Sequence, residues 1–211
     1  MKSHVYKNNK IRKWELALLL ALCISLCAGM WAQREQHELA GKMIRLHVIA
    51  SSNSQEDQAL KLEVRNQVIS ALEPVLEGRD NVIDARATIK QFLPELEAAT
   101  KQFLESRGRD CDVSVTLGRE YYPTRVYEGF SLPAGEYDSL RVILGEGKGE
   151  NWWCVVFPPL CFSVAQVEAA EISGLDLDDI SLITEENEGY ILKFKIIELW
   201  GILMGKLKGI K

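Results

Sequence analysis

The chain has 211 residues, is 47% hydrophobic and carries a formal net charge of −5. Lys2, Lys7, Lys10, Arg12 and Lys13 stand in a segment without acids, so the negative charge falls on the remainder of the chain. An acidic body of this kind argues against nucleic acid as a partner. It also argues against tight adsorption to anionic lipid, except at the C-terminus.

The basic block runs into an apolar stretch, Leu16 to Ala32, broken only by Ser25 and Gly29. This is the pattern of an export segment, with the basic side held in the cytoplasm. Met30-Trp31-Ala32 is a poor small-x-small cleavage site, and no lipoprotein pattern precedes Cys23 or Cys27. Residues 1–32 are therefore expected to be a cleaved signal or a retained anchor, and membrane contact follows in the second case. Residues 33–43 read as a short linker.

Residues 44–167 read as one core domain. Ile44 to Ala50 alternates and is β-branched, which predicts a first strand. Ser54 followed by Asp57 resembles a capping box and predicts a helix from about Gln55 to Leu72, ending near Pro74. A second helix is expected from about Val82 to Ser106, kinked or split at Pro94. Strands are expected at Asp112–Leu117, Glu120–Tyr127, Leu140–Leu144 and Trp153–Phe157, with a turn at Ser131–Tyr137. The expected fold class is α+β: a strand and two helices, then a mainly antiparallel β-meander. Residues 168–211 continue with an acidic segment to Glu188 and a basic amphipathic helix from Tyr190 to Leu207.

The first helix carries an apolar arc through Val64, Val68 and Leu72 that turns polar toward its start, at Asp57, Lys61 and Arg65. His47 of the strand and Asn53 of the turn join this cluster. One reading is a polar site at the carboxyl end of the strand, where open α/β sheets bind ligands. The other is an ion-pair cluster that fixes the helix on the sheet.

The run GEGKGENWWCVVFPPLCF, Gly145 to Phe162, is the most specific stretch. It joins a glycine-rich loop to a Trp pair, two cysteines and a Pro pair. Trp152, Trp153, Phe157, Pro158 and Leu160 suit a rigid contact surface; the alternative is that most of them are core. Cys154 and Cys161 flank Pro158-Pro159 and fit either a short disulfide loop or two buried thiols.

Motifs for chemistry are missing from the sequence. It has no Gly-x-Ser-x-Gly, no His-Glu-x-x-His and no Walker pattern. The cysteine spacing matches no zinc site. The expectation is no enzyme, no metal and no cofactor.

IRLHVIASSNSQEDQALKLEVRNQV (Ile44 to Val68), LPAGEYDSLRVILGEGKGENWWCVVFPPLCF (Leu132 to Phe162) and YILKFKIIELW (Tyr190 to Trp200) together resemble the stage II sporulation protein R family of endospore-forming Firmicutes. The resemblance implies a protein exported from the forespore into the space between forespore and mother-cell membranes. There it would activate a membrane-embedded aspartic protease that cleaves the sigma-E precursor in the mother cell. It implies no catalytic residues. An exported envelope hydrolase and a structural envelope protein are the alternatives.

Overall fold

The computed structural model describes residues 5–127 and 130–159. Within them the order is α1 (Val5–Ala40), β1 (Ile44–Ile49), α2 (Gln55–Leu76), α3 (Val82–Ser106), β2 (Val113–Tyr122), β3 (Arg125–Tyr127), β4 (Phe130–Leu132), β5 (Gly135–Leu144) and β6 (Asn151–Phe157). The acidic segment, the expected C-terminal helix, Leu160 and Cys161 lie outside the described residues.

The four-stranded sheet has the order β2-β5-β1-β6, and β3 and β4 form a separate ribbon. The class is α+β, and the sheet is mostly antiparallel. It is not a plain meander, because β1 lies between β5 and β6. It runs parallel to β5 and antiparallel to β6. β1 is buried throughout all but its last residue, as a strand covered on both faces must be.

Local chemistry explains the helix limits. The Ser54 hydroxyl caps α2 by accepting from the Asp57 N–H, and Asn81 does the same for α3 through Asp84. α2 passes Pro74 and ends at Leu76, with Gly78 at φ 71° turning the chain two residues later. Pro94 does not split α3. It removes only the N–H that would reach Lys90, and buried Ile89 and Leu96 hold both halves on the core.

Two expected strands, Asp112–Leu117 and Glu120–Tyr127, are one continuous strand followed by a short one. Gly118 and Arg119 do not interrupt β2, because β5 pairs with it without a bulge from Val113 to Tyr122. The expected turn at Ser131–Tyr137 contains the end of β4 and the start of β5.

α2 and α3 cover one face of the sheet. There Ile44, Leu46, Val48, Leu140, Val142 and Val156 meet Val64, Val68, Ile89 and Leu96. The opposite face has a second core of Leu39, Ala40, Met43, Tyr122, Phe130, Leu132, Tyr137 and Val155. Residues 33–43 thus do more than link. α1 continues through them to Ala40, and a Cβ added at Gly135 would lie 1.8 Å from Gln36 Nε2. Among the described residues one helix, Lys13–Ala40, is long and apolar enough to cross a membrane, and its apolar stretch is not buried.

Candidate interaction surface

Two loops meet at the carboxyl end of β1. The turn after β1 receives the β5–β6 loop through Lys148 N–H to Ser51 O (3.2 Å) and Gly149 N–H to Ala50 O (2.9 Å). A Cβ on Gly149 would fall 2.3 Å from the Ser52 carbonyl oxygen. Gly145 at φ 53° makes the sharp exit from β5. The glycine run therefore lets two backbones touch, which accounts for it without a phosphate ligand.

Asn53, Asp57 and Lys61 converge on this junction. Asn53 Oδ1 accepts from the Glu150 N–H at 2.8 Å. The Ser52 hydroxyl donates to Asp57 Oδ2 at 2.6 Å, and Arg109 pairs with Asp57. Lys61 Nζ donates to Gln58 Oε1 (2.5 Å) and to the Glu150 carbonyl (3.0 Å). Asp57 and Lys61 are 8% and 4% exposed, so the inward stripe of α2 is indeed polar in its first turns. Burial lowers the Lys61 pKa, and the Glu150 carboxylate partly restores it. Both buried charges are spent on fastening α2 to its surroundings. The Cys111 thiol is pushed up by burial, the nearby Arg109 opposing.

Arg65 and His47 leave this group. Arg65 lies over the Trp152 ring, 4.4 Å from its centroid, and desolvation lowers its pKa. His47 belongs to the other face of the sheet. Its Nδ1 faces the Glu120 carboxylate at 3.0 and 3.1 Å, and its Nε2 faces Asn151 Oδ1 at 2.9 Å. The Trp153 ring packs beside it at 5.4 Å.

That face holds a network that periodicity alone does not reveal. Ser139 Oγ donates to Glu120 Oε2 at 2.9 Å and meets Tyr122 OH at 2.6 Å. Arg45, fully buried, lies over the Tyr122 and Tyr137 rings and donates to Tyr127 OH at 2.6 Å. Its Nε and Nη1 have no hydrogen-bond partner among the described residues, so the aromatic faces compensate its charge. Burial raises the pKa of Tyr122, Tyr137 and Tyr127, with Arg45 opposing in each case. Arg45, Glu120, Tyr122 and Ser139 could be found in sequence only by knowing that β5 lies beside β1 and β2 beside β5.

A serine, a histidine and a carboxylate are thus close, but not as a nucleophilic set. Ser139 Oγ bonds the carboxylate, not the imidazole, and Ser139 is 2% exposed. A working triad needs the hydroxyl on a free imidazole nitrogen. No cluster of His, Cys, Asp and Glu suited to a metal occurs among the described residues.

The expected contact residues separate by depth. Trp152 is 36% exposed, on the helix side of β6, while Trp153 is half-buried under the Arg125 guanidinium at 3.8 Å. Phe157 and Pro158 are buried. Cys154 is disulfide-bonded, whereas Cys23, Cys27 and Cys111 are free.

The family model described as Stage II sporulation protein R matches residues 40–167, from the last residue of α1 through β6 and beyond. The chain belongs to the stage II sporulation protein R family. Stage II sporulation protein R of Bacillus subtilis (strain 168) is 35% identical to it over 148 residues, which is 69% of this chain and 66% of that protein. The match therefore spans just under two thirds of the relative's length. No solved structure matches. Membership gives the chain a role in sporulation, under a family name that is not that of an enzyme.

Proposed function

We propose that this chain is an exported signal in endospore formation. It activates a membrane-embedded aspartic protease, which then cleaves the sigma-E precursor in the mother cell. The observation that carries this reading is the arrangement of the chain: a sporulation-family domain directly behind a helix long and apolar enough to cross a membrane. The location that fits is the space between forespore and mother-cell membranes.

A protein that acts as a ligand needs a firm fold and an accessible anchor. Among the described residues of the expected contact set Trp152 is the accessible one, and Arg65 steadies its ring. Tryptophan and arginine are common binding hot spots, so these two are assigned to the contact with the protease. Phe157 and Pro158 support β6 from within.

The test is reconstitution in a non-sporulating bacterium, with this chain, the protease and the sigma-factor precursor expressed together. Shortening of the precursor that depends on this chain and on its export segment supports the reading. An unshortened precursor, with all three proteins present and this one exported, overturns it. An N-terminal tag recovered on the mature protein identifies the retained anchor.

A further inference from the structure

β2 lies at one edge of the sheet. The Val115 N–H points away from β5, because it donates to Glu97 Oε2 of α3 at 2.8 Å. Backbone groups alternate in direction along a strand. The N–H and C=O groups of Leu117, Arg119 and Tyr121 therefore also point outward. Among the described residues no backbone or side-chain group meets them. Natural edges are normally covered or blunted, and Glu97 does this for the first half of β2 only.

The second half of β2 is built for approach. Gly118 has no side chain, and a Cβ there would meet nothing within 4 Å. Tyr121 is 59% exposed. Arg119 is exposed, and its cross-strand neighbour Asp138 is already held by Arg86 at 3.1 Å. An extended backbone supplies acceptors and donors at the spacing that Leu117, Arg119 and Tyr121 present.

We propose that this edge binds an extended segment of a partner chain by strand addition, with an acidic side chain opposite Arg119. A second copy of this chain is the poorer occupant. Two β2 edges paired about a twofold axis at Arg119 would set Arg119 against Arg119, and directly opposed like charges destabilise a strand pair. The inference rests on the signalling role proposed for the chain, so the segment belongs to the outer region of the membrane protease. The β2 edge is the opposite edge of the sheet from Trp152, and the two would grip the partner from different sides.

The reconstituted system tests it with two variants of the full chain. Arg119→Pro deletes an N–H that makes no bond inside the described protein, which an edge strand tolerates. A photo-crosslinking phenylalanine replaces Tyr121 in the other. The expected result is precursor cleavage reduced about tenfold by Arg119→Pro, the effect of one or two backbone hydrogen bonds, at normal export. The crosslinker is expected to join this chain to the protease. Cleavage at the wild-type rate by Arg119→Pro overturns the inference, as does a crosslink between two copies of this chain or no crosslink at all. Should Arg119→Pro fail to be exported, Arg119→Glu decides on the same readout. A wild-type chain that drives no cleavage overturns the signalling role instead, and the choice of partner with it.

Discussion

Replacing Gly149 by alanine tests whether the glycine run is structural. The new Cβ would lie 2.3 Å from the Ser52 carbonyl oxygen and 2.8 Å from Ala50 Cβ. Ordinary contact begins near 3.4 Å, so the two loops must part by about 1 Å, a typical overpacking displacement. The 2.9 Å bond from Gly149 N–H to Ala50 O cannot survive that shift, and the 2.8 Å bond from Glu150 N–H to Asn53 weakens with it. Overpacking costs about 1–3 kcal/mol, and each broken hydrogen bond about 0.5–1.5 kcal/mol. The sum is about 3–4 kcal/mol, or a fall of roughly 10 °C in melting temperature for a domain of this size. Gly118→Ala is the control. Its Cβ enters open space, so the substitution is neutral or stabilises by up to about 1 kcal/mol through the unfolded chain. Thermal unfolding of the full-length variants in detergent, followed by far-ultraviolet circular dichroism, measures both. Equal melting temperatures for the two variants would refute the docked-loop argument, and the glycines would then need a binding role.

Ser54→Ala removes the N-cap of α2 and is expected to cost about 1 kcal/mol, read from urea unfolding midpoints. Lys61 has a lowered pKa in the folded state, so the unfolded chain holds more protons between the two values. Stability is therefore expected to rise with pH toward the ordinary lysine range, about 10.4, and the difference between wild type and Lys61→Met across that window should show it. Tyr122, Tyr127 and Tyr137 have raised pKa values; their contribution is complete below about pH 10 and declines above it, and alkaline unfolding monitored by tyrosinate absorbance checks this. Trp152→Ala loses a partly exposed cation–π contact, about 0.5–1 kcal/mol, so melting should change little while precursor cleavage falls. Undiminished cleavage at normal export would remove Trp152 from the contact.

Local signals in the sequence locate most of the elements. Ser54 with Asp57 marks the start of α2, and the β-branched alternation of Ile44 to Ala50 marks β1. The polar start of the α2 stripe is legible too, because Asp57 and Lys61 break an otherwise apolar arc. What is not legible depends on neighbours remote in sequence. Nothing in β1 says that β5 and β6 will flank it. Proximity in the chain therefore groups His47 with Asp57, although it points to the opposite face and meets Glu120. Arg45 is an ordinary strand residue until Tyr122, Tyr127 and Tyr137 surround it. The glycine run has no visible purpose in sequence, because the Ser52 backbone it rests on lies far earlier in the chain.

The central place of β1 also governs how the molecule can assemble. His47 bonds Asn151, 104 residues further on, and the parallel partner β5 is nearly as distant. A chain threaded through a membrane from its N-terminal side delivers β1 early and its neighbours late. Until β6 has emerged, the middle of the sheet has no completed pair of neighbours, and such long closures slow folding. For a chain delivered in that order, the sheet becomes whole only when β6 joins β1.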